Sequence, residues 1–266
     1  MQRQRQLNQS QLELLHVLYR FRFGTRSLLA EYLQRPNNTS LYSKLSILEK
    51  YGVIATRYDK SYKLAGREAE YYVTPKGVRA LNDAGVVDIT DKGLQTAYRD
   101  KTATDSYLRQ LILLFTLRNQ LCAVYPELQF FTARDIQNLD YFPKKRPTAF
   151  LSLKTDKGIK RFFVEYVPMQ TSVSIIKGKL KRFTSYYEED GWGVTDTPFP
   201  TILFICEDGM TEQGVRWHIK RALYMSDTDM QYYTTTQKAI LGSLQSAPAV
   251  WSDVSEPDNL LSLPEL

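Results

Sequence analysis

The stretch PTILFICED at residues 200–208 constrains the fold more than any other part of the chain. Ile202, Leu203, Phe204, Ile205 and Cys206 follow one another with no polar residue between them. Successive side chains of a strand point to opposite faces, so a strand without alternation is buried on both sides and belongs inside a sheet. The segments TSVSIIKGKLKRFTSYYEED before it and TEQGVRWHIKRALYM after it read as helices, the first capped by Thr171 or Ser172. Upstream, LQFFTA, TAFLSLK and IKRFFVEYV read as strands, the last two joined into a hairpin at Lys157 and Gly158. The first of these strands follows a helix that begins at Ala103 and ends at Pro126, whose wide apolar face carries Leu108, Leu111, Ile112, Phe115, Leu121 and Val124. A strand MQYYTTT and a helix QKAILGSL come last, which gives the order α-β-β-β-α-β-α-β over residues 103–247. Residues 248–266, acidic and Pro-bearing, read as a surface-hugging or flexible tail.

The first part of the chain has a different rhythm. SQLELLHVLYRFRFGT carries apolar residues at three- and four-residue spacing after Ser10, the expected N-cap. A break at Gly24 and Thr25 precedes a short second helix, RSLLAEYLQR. A third helix follows Pro36 and ends at Gly52. VIATRYDK and REAEYYVTP then form a hairpin whose tip is the basic SYKLAG, and PKGVRALNDAG is a closing helix with Pro75 early and Gly85 at its end. Three helices, a hairpin and a helix make the order of a winged helix-turn-helix, in which the third helix enters the major groove and the wing follows the backbone. Residues 1–86 are therefore expected to be a DNA-binding domain and residues 87–102, polar and without clear period, a linker. The predicted fold class is α+β in two domains.

Charge supports a polyanionic partner. The net charge is +6, but residues 1–79 hold 14 basic against 6 acidic side chains, and residues 144–182 hold 11 against 2. Residues 183–266 reverse this, with 4 against 13. Two basic blocks suit double-stranded DNA, whose phosphates form a dense line of negative charge. On the third helix Asn38, Thr39, Ser40, Tyr42, Ser43 and Lys44 lie away from the core positions Leu41, Leu45 and Leu48, and Arg57, Lys60, Lys63 and Arg67 lie on or beside the wing. Lys177, Lys179, Lys181 and Arg182 make the helix after the hairpin a second basic surface.

Other classes are not expected from this sequence. No apolar run approaches the roughly 18 to 20 residues of a membrane span, and MQRQRQLNQSQ is not followed by the apolar core of a signal peptide. Cys122 and Cys206 sit in apolar stretches far apart and read as two buried thiols of a cytoplasmic protein. His16 and His218 are isolated on helices, Tyr186 and Tyr187 read as packing residues, and no Gly-rich phosphate loop is present.

The order of the second half resembles the core of the restriction-endonuclease-like PD-(D/E)xK superfamily. There an Asp opening one strand and a Glu ending the next share Mg²⁺, whose bound water attacks phosphorus, and a Lys or second acid follows the Glu, the Lys stabilising or orienting. Residue by residue, RPT stands in the place of the xPD motif, with Thr148 at the Asp, and VEYV keeps Glu165 but has Val167 at the Lys or second acid. Asp140 and Asp156 are the nearest substitutes for the missing acid, and Lys177 or Lys179 for the missing Lys. Including the N-terminal module, the chain from about residue 10 to about residue 210 resembles the replication-relaxation family of plasmid and mobile-element proteins, the best match being SIIKGKLKRFTSYY. That resemblance implies DNA binding in plasmid replication, mobilisation or conjugation, beside a relaxase or replication initiator.

Three readings follow. The first is a non-catalytic DNA-binding accessory protein without a cofactor, in which Thr148, Glu165, Val167 and Lys179 form a degenerate site and Glu165 pairs with Lys177 or Lys179. The second is a Mg²⁺-dependent endonuclease using Glu165. The third is a dimeric docking adaptor or winged-helix transcription regulator. A homodimer is expected in the first as well, with the helix over residues 103–125 offering a face to its own sheet and to a partner.

Overall fold

The computed structural model describes residues 7–89, 91–226, 228–242 and 249–266. The chain divides into two units, Met1–Asn119 and Gln120–Leu266.

The first unit contains α1 (Gln9–Phe21), β1 (Phe23–Thr25), α2 (Arg26–Tyr32), α3 (Thr39–Lys50), β2 (Ile54–Arg57), α4 (Lys60–Leu64), β3 (Glu70–Val73), α5 (Pro75–Asp83), α6 (Asp91–Asp100) and most of α7 (Asp105–Val124). The start of α1 is fixed by Asn8 and not by Ser10. Asn8 accepts from the Gln11 backbone N–H at 3.0 Å while the Gln11 side chain accepts from the Asn8 N–H at 3.0 Å, so two donors that the first turn leaves unsatisfied are satisfied reciprocally. Leu14, Leu15, Leu18 and Phe21 of α1 are buried with Leu29, Leu41, Leu45, Leu48, Val78 and Leu81 from the following helices.

Three expectations are corrected in this unit. The segment around Gly24 is a strand rather than a break, because β1 pairs antiparallel with β3 and gives the sheet order β1-β3-β2. The SYKLAG tip between β2 and β3 is not an open loop: Asp59 accepts from the N–H groups of Ser61 at 2.8 Å and Tyr62 at 3.3 Å, and this cap starts the one-turn helix α4, on which Lys60 and Lys63 stay exposed. Much of the expected linker is helix α6, whose buried Gly93, Ala97 and Asp100 recur at helical spacing and whose Asp100 carboxylate pairs with Arg22. The apolar face of α7 is also engaged within this unit. Leu108 packs with Phe23 and Tyr72, and Phe115 stacks on Phe21 with ring centroids 4.1 Å apart. Gly24 permits that approach, since a Cβ there would lie 2.9 Å from Phe115 Cε1.

The second unit is built on a seven-stranded sheet. Its elements are β4 (Leu128–Thr132), β5 (Ala149–Thr155), β6 (Gly158–Val167), α8 (Val173–Glu188), β7 (Thr201–Cys206), α9 (Gly209–Met225), β8 (Tyr232–Thr236), α10 (Gln237–Gly242), β9 (Trp251–Asp253) and β10 (Leu260–Leu261). The sheet order is β10-β9-β8-β7-β6-β5-β4, antiparallel at both sides and parallel across β6, β7 and β8. Strand β7 is central, and all of Ile202, Leu203, Phe204, Ile205 and Cys206 are buried, as their unbroken run requires. Ile176, Leu180 and Phe183 of α8 and Val215 and Ile219 of α9 cover one face with Phe163, Val167, Ile202 and Phe204.

The tail expectation is overturned. Trp251, Val254 and Leu263 are buried, and β9 and β10 extend the sheet beyond β8. The end of the QKAILGSL helix and the boundary at residue 247 lie outside the described residues. Cys206 is buried, Cys122 is half-buried rather than buried, and neither forms a disulfide. Among the described residues no helix is long and apolar enough to cross a membrane.

Candidate functional site

Glu165 is the centre of the second unit's polar chemistry. It lies on β6, in register with Phe204 of β7, and is 1% exposed. A carboxylate so far from water needs partners, because removal of a charge from solvent costs several kcal/mol, on the order of what a well-formed ion pair returns. Two cations on α8 supply them. Lys179 donates to Oε2 and the Arg182 guanidinium donates to Oε1, so both carboxylate oxygens are engaged. The two side chains are three residues apart and so share a helix face. Thr148, just before β5, lies at 3.4 Å from Oε2 through its hydroxyl and accepts from the Tyr166 N–H at 3.3 Å. Val167 is fully buried in the apolar core and offers no oxygen.

The remaining substitutes do not complete a metal site. Asp156 is exposed in the β5–β6 turn, at the opposite end of the ladder from the Ala149–Val164 pairing that neighbours Glu165. Asp140 is exposed on the segment between β4 and β5. Among the described residues no three His, Cys, Asp or Glu side chains are grouped to hold a metal. Mg²⁺ demands near-octahedral oxygen ligation with one or two carboxylates, whereas the donors here are one carboxylate already held by two cations and one hydroxyl. These residues do not fit the ion.

Sequence reasoning offered Lys177 or Lys179 as the partner of Glu165 and missed Arg182, and it had placed all three on a DNA surface; the structure pairs Lys179 and Arg182 with the carboxylate. Lys177 does not reach the carboxylate and is exposed, as is Lys181. It also missed Arg146, whose guanidinium donates to the carbonyls of Ile136 at 3.1 Å, Gln137 at 2.9 Å, Leu139 at 2.9 Å, Phe142 at 2.8 Å and Pro143 at 2.7 Å. That one side chain gathers the segment leading to Thr148. Nothing in the local sequence marks it apart from the charge itself, since its acceptors are main-chain groups.

Tyr186 is a packing residue whose hydroxyl donates to the Tyr141 carbonyl, and burial pushes its phenol up to about 12. Tyr187 packs edge-on against Phe199.

In the first unit the expected DNA-facing residues separate into two groups. Thr39, Ser40, Tyr42 and Ser43 are exposed on α3, and Lys60 and Lys63 are exposed on α4. The others are turned inward or engaged. Asn38 caps α3, its amide oxygen accepting from Ser40 N–H at 3.0 Å and Leu41 N–H at 3.3 Å. Lys44 donates to Ser10 Oγ at 3.0 Å, toward α1. Arg57 pairs with Asp105 at 2.8 Å and donates to the Ala103 carbonyl. Arg67 pairs with buried Glu70 at 2.8 Å and lies over the Tyr62 ring, 4.2 Å from its centroid. Ile47 and Lys50, four and seven residues after Ser43, extend the exposed face of α3, and helical spacing alone was enough to find them.

No protein-family model and no curated protein matches the chain. Among solved structures, restriction endonuclease FokI is similar at 8% identity with a TM-score of 0.36, over 88% of this chain and 42% of that one. FokI bound to DNA is similar at 9% identity with a TM-score of 0.33, over 88% and 43%. The chain thus spans less than half the length of the FokI chains, and likeness at this level leaves its family unassigned.

Proposed function

We propose that the protein is a non-catalytic binder of duplex DNA. The observation that carries this reading is the state of Glu165, buried and saturated by Lys179 and Arg182 at the position where a nuclease of the PD-(D/E)xK type would hold a metal. The second unit, on this reading, is a nuclease-like scaffold whose reaction centre has become an internal ion-pair cluster, with Lys177 and Lys181 left on its surface.

The first unit acts as a winged helix-turn-helix. Support comes from its order of three helices around a small antiparallel sheet, with α3 presenting hydroxyls outward and α4 placing Lys60 and Lys63 at the wing. Hydroxyls hydrogen-bond phosphates and base edges without the desolvation of a full charge, and lysines at the wing meet the backbone. The finer setting, a homodimer acting with a relaxase or replication initiator in plasmid or mobile-element DNA processing, rests on the resemblance of SIIKGKLKRFTSYY and its neighbours to the replication-relaxation family.

Plasmid incubated with the purified chain in Mg²⁺ and in Mn²⁺, beside gel shifts at several salt concentrations, tests the reading. Retarded duplex that weakens steeply with salt, and no cleavage, is the expected result. Cleavage that needs the metal and disappears in Glu165→Ala would overturn it.

A further inference from the structure

Helices α8 and α9 share a surface that a duplex-binding reading leaves half used. From Val173 to Tyr187 and again from Gln213 to Met225 neither helix contains an Asp or Glu. The one carboxylate within α9, Glu212, is turned inward, accepting from Thr234 Oγ1 at 2.7 Å and Arg216 at 2.9 Å. Exposed cations and aromatic rings stand beside exposed apolar Val173, Ile175 and Met225. Trp217, Arg221 and Tyr224 recur at four and then three residues and so form one stripe. Trp217 is 55% exposed and Tyr224 93% exposed.

These rings are not loose decoration on a helix. The Arg221 guanidinium lies 5.6 Å from the Trp217 ring centroid, and the His218 ring meets Trp217 edge-on at 4.7 Å. Burial lowers the His218 pKa, and the charges of Lys177 on α8 and Arg221 on α9 lower it further. Lys220 and Lys181 are exposed on the same two helices.

Phosphates account for the cations but not for the rings. In a duplex the bases are stacked on one another and offer no face to a protein surface, whereas a single strand presents both a phosphate backbone and open π-faces. Trp217 and Tyr224 are separated by roughly 10.5 Å along the helix axis, about three times the per-strand rise of duplex DNA. Bases that stack on these two rings must turn their faces out of the strand's own stack. A second copy of the same surface is the poorer occupant, because the stretches 173–187 and 213–225 would bring cations toward cations with no carboxylate between them.

We propose that the α8–α9 surface binds single-stranded nucleic acid, stacking bases on Trp217 and Tyr224 and holding phosphates with Lys177, Lys220 and Arg221. This rests on the nucleic-acid reading above only through the shared Lys177; the rings carry it independently.

The test is titration of the full chain with oligothymidylate, with oligouridylate, and with a duplex of mixed sequence. Trp192 and Trp251 are buried, so quenching of tryptophan fluorescence reports Trp217. Saturable quenching by one or both single strands is expected, and the stronger of the two identifies DNA or RNA as the source. Trp217→Ala and Tyr224→Ala should each weaken single-strand binding roughly tenfold, with Trp217→Phe recovering most of the loss and duplex affinity unchanged in all three. Both rings are exposed, and unchanged thermal melting checks that the fold is kept. Single-strand affinity that is the same in Trp217→Ala/Tyr224→Ala as in the wild type overturns the proposal. So does a wild type that binds duplex but neither single strand, which leaves the duplex reading standing. Loss of duplex binding in Lys60→Ala/Lys63→Ala with single-strand binding intact separates the two sites. Conversion of a dimer to a monomer by the ring substitutions without loss of oligonucleotide binding would assign the surface to self-association instead.

Discussion

Glu70 in the first unit and Glu165 in the second are both buried carboxylates on strands, and they are neutralised in different ways. Glu70, 4% exposed, is held by Arg67 three residues away, whose side chain is 33% exposed, and by the Tyr62 hydroxyl at 2.6 Å. Glu165, 1% exposed, is held by two cations of α8, both largely buried. The first arrangement is local and closes one turn of chain onto a strand. The second joins a helix to a sheet. In both, side chains that look available to phosphate are already engaged, so the sequence overstates the free positive charge of each unit.

The largest effect that would test this comparison is removal of the carboxylates. Glu165→Ala leaves two cations with no counter-charge in a dry site and is expected to lose about 3–5 kcal/mol. Glu70→Gln leaves one cation that still reaches water and should lose about 1–2 kcal/mol. Urea unfolding of the full chain, read at both units, measures both. A sharper form replaces Glu165, Lys179 and Arg182 together by apolar residues of similar volume, which should recover most of the Glu165→Ala loss. Equal losses at Glu70 and Glu165 would end the distinction.

The next effect separates engaged from unengaged cations by salt dependence. Lys60→Ala with Lys63→Ala should lower the slope of log affinity for duplex DNA against log salt by about 2, near one unit per lost phosphate contact. Arg57→Ala and Arg67→Ala, whose partners are Asp105 and Glu70, should leave that slope unchanged. A slope that falls with the arginines and not with the lysines would reverse the assignment.

The smallest effect is alkaline. Burial, aided by the hydrogen bond to Glu70, pushes the Tyr62 phenol up to about 12, and burial pushes that of Tyr186 up to about 12. An unfolded phenol ionises near 10. Each tyrosine therefore contributes stability that is complete below about pH 10 and is lost as pH rises through about 12, where the unfolded chain has already released a proton that the folded chain retains. Tyr62→Phe should flatten this decline in the first unit and Tyr186→Phe in the second, as followed by thermal melting between those two pH values. A decline unaltered by both would mean that neither phenol controls it.

The elements of the second unit were legible in large part because their signals are local. The unbroken TILFIC run, the hairpin at Lys157 and Gly158 and the helix after Thr171 each depend on residues close in sequence. The errors fell where a local signal was weak and a distant partner decided the outcome. Strand β1 exists because Phe23 pairs with Tyr72, β9 because Asp253 pairs with Tyr233, and α6 is covered on a side marked only by small residues and Asp100. The candidate site was half legible: Glu165 and its Lys179 partner were found, while Arg182 and the carbonyl cradle of Arg146 were not.

The sequence by itself determined the elements with a strong local period, such as α3, β6 and α8, and that the unbroken TILFIC strand lies inside a sheet. Those outcomes follow from side-chain chemistry and from periods of two and 3.6 residues. Which basic residues remain on the surface was decided by the tertiary structure. Arg57 finds Asp105, 48 residues away, and Arg182 finds Glu165, 17 residues away, whereas Lys60, Lys63, Lys177 and Lys181 of the same basic blocks are exposed. Residue type cannot distinguish these groups, because a buried carboxylate selects its cation by distance in the folded chain and not by position along it.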